Sequence, residues 1–134
     1  MEKETLMTQA KLAMQKAYAP YSHFQVGAAL LGADGKVYTG CNVENASFSP
    51  TICAERVAFT KAVSEGCREF KALAICGGKE GVIGGICTPC GVCRQVITEF
   101  CKPDFPIYLT DESGVVETKT LAQLLPMGFG PHNL

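Results

Sequence analysis

Residues 88–102 read TPCGVCRQVITEFCK, a stretch that predicts a helix beginning at a pair of cysteines. Pro89 suits the first turn of a helix, where a missing N–H costs nothing, and Pro103 follows the last turn. Between the two prolines, apolar side chains recur at helical spacing on one face: Cys93, Val96, Ile97 and Phe100. The pattern therefore places Cys90 and Cys93 on the first turn of a helix that packs against a core.

Short strands are predicted on both sides of this helix. Leu73 to Cys76 is typical of a buried strand, and a glycine-rich loop from Gly77 to Gly85 separates it from the helix. After the helix, Ile107 to Leu109 and Val115 to Thr118 have the pattern of two further strands. A short helix, Leu121 to Leu125, completes the chain.

The first half of the chain predicts a helix, a hairpin and a second helix. Apolar residues at helical spacing cover Glu4 to Tyr18. The strand-like runs Phe24–Leu31 and Lys36–Val43 are joined by Asp34-Gly35, a pair that suits a tight turn. A helix is expected from near Pro50-Thr51 to near Ser64-Glu65. The order α, ββ, α, β, α, β, β, α predicts an α/β chain with helices on both faces of a mixed sheet.

Length and charge limit the classes of protein that fit. The 134 residues fit a single domain, 1–134. A hydrophobic fraction of 47% with 19% charged residues favours some burial between subunits. The net charge of -1 leaves no basic surface for a phosphate backbone, so a small neutral ligand is a better candidate than nucleic acid.

The compartment is expected to be the cytoplasm. The first residues, Met1 to Leu6, include acidic side chains and lack the apolar core of a signal peptide. No apolar run is long enough to span a bilayer, so no membrane partner is expected. Inside a cell, eight cysteines are more useful for metal binding or catalysis than for disulfides.

The Cys90–Cys93 pair alone fits three kinds of site about equally: a redox dithiol, half of a structural zinc site, or part of a catalytic one. Upstream, Cys53-Ala54-Glu55 brings a third thiol and a carboxylate to the start of the other helix. A structural zinc site uses four protein ligands, whereas a catalytic site uses three and keeps a proton-carrying group beside the open position. Three cysteines with Glu55 fit the catalytic kind, and the spacing is the one that zinc deaminases use.

Four stretches in order resemble the cytidine deaminase family, specifically its small members with three cysteine ligands. They are Ala19–Ser22 with Phe24–Ala29, Gly40–Ala46, Cys53–Arg56 and Pro89–Gln95. The resemblance covers nearly the whole chain and implies a three-layer α/β/α sandwich around a mixed five-stranded sheet. It also implies a homotetramer that hydrolyses cytidine and deoxycytidine to uridine and deoxyuridine, with release of ammonia, in pyrimidine salvage.

The same resemblance assigns roles around a metal. It implies one Zn²⁺ per chain, held by Cys53, Cys90 and Cys93, with water in the fourth position. Glu55 resembles the residue that carries protons between the water, the pyrimidine ring and the departing amine. Arg56 resembles the residue that donates hydrogen bonds to the ligand sulfurs, and Arg94 is expected to assist it in part.

Further residues resemble those that bind the pyrimidine nucleoside. Asn42 and Glu44 match residues that hold a ribose hydroxyl, Phe24 matches a ring that packs against the base, and the Ala54 backbone N–H would reach the base carbonyl. Without the resemblance, Asn42 is read as a turn former and Glu44 as a loop charge.

Two aromatic residues are candidates for contacts with a neighbouring subunit. Many relatives have tyrosine where this chain has Phe48, so a hydroxyl contact is missing here. Phe129, in the tail, resembles an aromatic residue that completes the adjoining subunit's site. The missing hydroxyl at Phe48 bears on the preference among nucleosides.

The other five cysteines are expected to be inert packing residues: Cys41, Cys67, Cys76, Cys87 and Cys101. Cys87 is an alternative ligand because it forms a second Cys-x-x-Cys with Cys90, although Pro89 at the helix start favours Cys93. Three rival functions fit the residues less well, because Asn42 to Glu44 favour an ordinary ribose, Glu55 has no purpose in a non-catalytic module, and the chain has no basic surface signal. They are a blasticidin-type deaminase, a non-catalytic zinc or dithiol module, and an editing enzyme that acts on polynucleotides.

Overall fold

A computed structural model describes residues 1–134. Its four helices and five strands occur in the order that the sequence predicts. The helices are α1 (Lys3–Met14), α2 (Ala54–Ser64), α3 (Gly91–Phe100) and α4 (Leu121–Leu124). The strands are β1 (Phe24–Gly32), β2 (Val37–Cys41), β3 (Phe70–Lys79), β4 (Pro106–Thr110) and β5 (Val116–Thr120). A short 3-10 turn, Pro131–Asn133, follows near the end of the chain.

The five strands form one mixed sheet in the order β2-β1-β3-β4-β5. The pairs β1–β2, β1–β3 and β4–β5 are antiparallel, and β3–β4 is parallel. A parallel pair needs a crossover connection, and α3 supplies it between β3 and β4. The start of α3 therefore lies at the end of the sheet where β3 finishes.

Each face of the sheet is covered by helices. Along β1, Ala28 and Leu30 point into a core shared with α2 and α3, while Ala29 and Leu31 point into a second core with α1. Phe59 of α2 is fully buried in the first core, where its burial contributes about 2–3 kcal/mol. The two cores confirm the three-layer α/β/α sandwich. None of the helices is both long and apolar enough to cross a membrane.

Two glycines let helices approach the sheet closely. A Cβ atom at Gly27 would lie 2.0 Å from the Ala10 carbonyl oxygen of α1, and one at Gly40 would lie 2.3 Å from the Ala54 carbonyl oxygen of α2. Side chains at these positions would push the helices outward. Gly40 thus fixes the first turn of α2 directly against β2.

The second helix begins later than the sequence indicates. The expected start is near Pro50-Thr51, but α2 begins at Ala54. Val43 and Ile52 exchange backbone hydrogen bonds of 3.0 Å in both directions, which keeps the chain extended up to Cys53. This pairing joins residues separated by a loop, so a local sequence pattern does not predict it.

Two other boundaries differ from the sequence pattern. α1 ends at Met14, whereas the apolar periodicity continues to Tyr18. β3 extends to Lys79 and includes Gly77 and Gly78, which were expected in a loop. Both glycines pair with the neighbouring strand β1. Pairing with β1 therefore overrides their weak preference for strand structure.

Candidate active site

Two helix starts meet above one face of the sheet. Cys53 precedes the first residue of α2, and Cys90 precedes the first residue of α3, each with extended backbone angles. Cys93 is the third residue of α3 and is buried. The unpaired N–H groups at a helix start favour negative charge, so all three thiols lie where thiolates are stabilised.

The three sulfur atoms form a compact group. They lie within 4.8 Å of one another, and the Sγ atoms of Cys53 and Cys90 are 3.7 Å apart. Zinc–sulfur bonds of about 2.3 Å in a tetrahedral site place sulfurs about 3.8 Å apart. Cys93 is buried, Cys53 is half-buried and Cys90 is exposed, so the group is open on one side. The sulfurs therefore fit a zinc ion that keeps an accessible position.

The pKa values of two of these thiols move in opposite directions. A hydrogen bond from Cys93, together with the Arg56 guanidinium, lowers the pKa of Cys53 to about 5 despite burial. The same hydrogen bond and burial raise the pKa of Cys93. The Cys53 thiol is therefore the more acidic of the two. A bound divalent cation deprotonates such a thiol outright.

Glu55 is a buried carboxyl group at the second position of α2, with only 3% of its surface exposed. Burial raises the pKa of Glu55 to about 7, and the negative charge of Cys53 acts in the same direction. A carboxyl group with a pKa near neutrality can both accept and release a proton at physiological pH. Its environment therefore suits a proton carrier.

The two arginines near the cysteines have different partners. Arg56 Nη2 lies 3.5 Å from Cys53 Sγ, and its Nε is buried without a hydrogen-bond partner. Arg94, expected to assist Arg56, instead donates from Nε to the Pro89 carbonyl at 2.7 Å and from Nη1 to the Leu124 carbonyl. Arg56 therefore directs its charge at the sulfur group, whereas Arg94 joins the start of α3 to α4.

Asn42 lies just after β2 and bonds to the backbone of β1. Its Oδ1 accepts a hydrogen bond of 2.8 Å from the Val26 N–H, and its Nδ2 donates one of 2.8 Å to the Phe24 carbonyl. These bonds hold the start of β1 in place. The second Nδ2 hydrogen and a lone pair of Oδ1 remain for another partner.

Glu44 is tied to the segment before β1. Its Oε1 accepts hydrogen bonds from the backbone N–H groups of Tyr21 at 2.9 Å and Ser22 at 3.1 Å, while Oε2 accepts from the Ser22 hydroxyl. The Ser22 hydroxyl, with help from these backbone donors, lowers the pKa of Glu44. From the sequence, Ser22 received no role of its own and was named only within the stretch Ala19–Ser22 that resembles the family. Its position two residues before Phe24, typical of a serine turn, was the available signal.

The aromatic candidates lie at the surface. Phe24 has 37% of its surface exposed. The rings of Phe48 and Tyr21 pack edge to face with centroids 5.6 Å apart. These two rings, with Ser22, Glu44 and Thr51, line a cleft of about 380 Å³.

The two remaining candidate residues, Ala54 and Phe129, differ in solvent exposure. Ala54 is fully buried as the first residue of α2, so its backbone N–H is one of the helix's unpaired donors. Phe129 is exposed on the tail, where its carbonyl accepts a hydrogen bond of 2.8 Å from Gln95 Nε2.

The remaining cysteines lie outside the group of three sulfurs. Cys67 and Cys76 are buried, and the other three are half-buried: Cys41, Cys87 and Cys101. Burial raises the pKa of Cys76 to about 11 and those of Cys87 and Cys101 to about 12, which keeps these thiols neutral. Their surroundings fit packing residues rather than metal ligands.

Residues 1–109 match the family model for the cytidine and deoxycytidylate deaminase zinc-binding region. The chain belongs to this family. It is 52% identical over 134 residues to a cytidine deaminase of Sporosarcina psychrophila, covering 100% of this chain and 96% of that protein. It is 45% identical over 129 residues to a cytidine deaminase of Halalkalibacterium halodurans, covering 96% of this chain and 95% of that protein.

Solved structures give the same family. The crystal structure of cytidine deaminase from Burkholderia pseudomallei superposes with a TM-score of 0.88 at 47% identity, covering 96% of this chain and 100% of that one. The enzyme from Mycobacterium tuberculosis superposes with a TM-score of 0.82 at 39% identity, covering 97% and 98%. Family membership and the three-cysteine group identify a zinc-dependent deaminase with one zinc per chain.

Proposed function

We propose that this enzyme hydrolyses cytidine and deoxycytidine to uridine and deoxyuridine, with water consumed and ammonia released. The observation that carries the proposal is the buried Glu55 carboxyl group, whose pKa is about 7. Glu55 lies two residues after Cys53, one of the three cysteines whose sulfurs fit a zinc ion. The relatives at 52% and 45% identity are cytidine deaminases, which supports the choice of substrate.

The proposed ligands and proton carrier divide the chemistry between them. Cys53, Cys90 and Cys93 would hold the zinc, which would supply Lewis acidity toward water. Glu55 accepts a proton as water attacks C4 of the pyrimidine and delivers it to the ring N3. Glu55 then takes the proton of the new C4 hydroxyl and passes it to the amine. The C4–N bond breaks, ammonia leaves, and the C4 oxygen becomes the carbonyl of the product. Arg56 withdraws charge from the sulfurs and so offsets the excess negative charge of three thiolates.

The nucleoside is proposed to bind through four positions. The Phe24 ring packs against the base, and the unpaired N–H of Ala54 donates to the base carbonyl. Asn42 and Glu44 bind the sugar hydroxyls. Each still has free hydrogen-bonding capacity, because an amide and a carboxylate together offer more donors and acceptors than the β1 segment uses.

We also propose that the single domain of residues 1–134 assembles as a homotetramer. Phe48 and Phe129, with 68% and 60% of their surfaces exposed, are proposed to contact neighbouring subunits. A reducing cytoplasm is the proposed location, because the three ligand cysteines must stay reduced to bind metal. The cellular role that suits this chemistry is pyrimidine salvage, with a free nucleoside as partner rather than nucleic acid or membrane.

The test is an ultraviolet assay of the purified protein on cytidine, deoxycytidine, cytosine and blasticidin S, with zinc measured in the same preparation. We expect turnover of the two nucleosides, none of the free base, and one zinc per chain. The Glu55→Gln protein serves as the control for contaminating activity. Turnover of blasticidin S alone, or zinc-loaded protein that leaves both nucleosides unchanged, would contradict the proposal.

A further inference from the structure

The hydroxyl of Ser22 lies between two groups that are proposed to contact the substrate. Its Oγ accepts a hydrogen bond of 3.0 Å from the Phe24 N–H and donates one to Glu44 Oε2. A serine hydroxyl has a single hydrogen to donate. Because the Glu44 carboxylate can only accept, this hydrogen is directed at Glu44.

The two oxygens of Glu44 are held differently. Backbone N–H groups of Tyr21 and Ser22 hold Oε1, whereas the protein's only hydrogen bond to Oε2 comes from the Ser22 hydroxyl. Without that hydroxyl, the carboxylate keeps its two hydrogen bonds at Oε1 but loses the one at Oε2, which fixes the rotation of the carboxylate plane. The plane of the carboxylate therefore depends on one side chain.

Hydrogen bonds that do not involve the Ser22 hydroxyl also hold the backbone around it. Lys79 Nζ donates to the Ser22 carbonyl at 3.2 Å, and the Glu80 N–H donates to the His23 carbonyl at 2.7 Å. Asn42 separately holds the Phe24 carbonyl. Removal of the hydroxyl takes away the acceptor of the Phe24 N–H and the donor to Glu44 Oε2. Because the other bonds hold the chain on both sides, its path is expected to stay and the side-chain geometry of Glu44 to change.

We propose that Ser22 is a positioning residue that orients the Glu44 carboxylate toward the sugar of the substrate and so sets the selectivity for nucleosides that carry a hydroxyl at C2′ or C3′ of the sugar. The inference rests on the proposed function, in which Glu44 binds the sugar. Ser22 and Glu44 both line the 380 Å³ cleft with Tyr21, Phe48 and Thr51, so the two residues border space that a ligand can enter. Ser22 itself does not act on the base.

The experiment compares Ser22→Ala with wild type on cytidine and on 2′,3′-dideoxycytidine, which lacks the group that Glu44 would bind. For cytidine we expect KM to rise about tenfold with kcat within about twofold, the pattern of lost ground-state binding. For the dideoxynucleoside we expect kcat/KM to change less than about twofold. Ser22→Thr, which keeps a hydroxyl, should restore most of the affinity for cytidine.

Ser64→Ala is the matched control, because Ser64 is also an exposed serine whose hydroxyl makes a local hydrogen bond, to the Lys61 carbonyl at 2.8 Å. In a Glu44→Ala background, Ser22→Ala should add little further loss. Equal losses on both nucleosides, or an unchanged KM for cytidine, would overturn the inference. Failure of the wild-type protein to deaminate cytidine would instead reject the proposed function.

Discussion

The starts of α2 and α3 share a backbone plan but differ in chemistry. Each helix follows a cysteine with extended backbone angles, φ -76° and ψ 155° at Cys53 and φ -68° and ψ 169° at Cys90. The second residue of each helix shows the difference. It is Glu55 in α2, with 3% of its surface exposed, and Val92 in α3, with 57% exposed. The same backbone thus buries a carboxyl group at one start and exposes an apolar side chain at the other.

The arginines of the two first turns extend this contrast. Arg56 lies 3.5 Å from a cysteine sulfur, whereas Arg94 bonds to the carbonyls of Pro89 and Leu124. α2 therefore supplies the proposed proton carrier and a positive charge beside the sulfurs, while α3 begins at two of the three sulfurs and is joined to α4 through Arg94. Two helix starts with similar backbone angles can thus contribute different groups to one site, because the contacts of their side chains decide the chemistry of each.

The largest effect is expected from Cys90→Ala. Loss of one of the three proposed sulfur ligands should reduce zinc affinity by more than the roughly 10–100-fold that follows loss of a residue hydrogen-bonded to a ligand. Activity should fall below detection. Zinc content after dialysis and the deamination rate measure this. Cys87→Ala is the control and should keep its zinc, because Cys87 lies outside the sulfur group. Full zinc occupancy in Cys90→Ala would remove Cys90 from the ligand set.

Glu55→Gln tests the carboxyl group of α2. The amide cannot transfer a proton, so kcat should fall by about 10²–10⁴-fold or more while zinc content is kept. Val92→Thr, at the equivalent exposed position of α3, should change kcat less than about twofold. Steady-state kinetics with zinc measured on the same samples makes the comparison. A kcat of Glu55→Gln close to that of wild type would show that Glu55 is not the proton carrier.

Arg56→Gln is expected to have an intermediate effect. Loss of the charge near Cys53 should lower kcat about tenfold and speed zinc release to a chelator by a similar factor. The rate of zinc release reports on the sulfur group independently of turnover. An exposed arginine in a surface ion pair would be worth under about 1 kcal/mol, so unchanged kcat and zinc release would place Arg56 in that class.

Arg94→Gln should have the smallest effect on activity and act on stability instead. The Pro89 and Leu124 carbonyls would lose a charged donor, which should lower the free energy of unfolding by about 2 kcal/mol. Urea unfolding measures this change. The kcat of folded, zinc-loaded protein should stay within about twofold of wild type. A large fall in kcat with unchanged stability would show that the two arginines share one role.

The order of the helices and strands, and a mixed sheet with helices on both faces, could be predicted from the sequence because both follow from local periodicity and turn residues. The sequence did not predict the start of α2 or the full length of β3, which depend on pairing between distant segments. Val43 pairs with Ile52 across a loop, and Gly77 and Gly78 pair with β1. Such contacts are absent from any short window of sequence.

The sequence by itself determined which groups are available and how they are spaced on each helix. Three positions separate Cys90 from Cys93 within one helix start, and two separate Cys53 from Glu55. Only the tertiary structure decided that these two starts meet, because α2 reaches its place by packing against Gly40 of β2. It also decided the partners of Arg56, Arg94 and Glu44, since a side chain's hydrogen bonds depend on atoms that folding brings close from elsewhere in the chain.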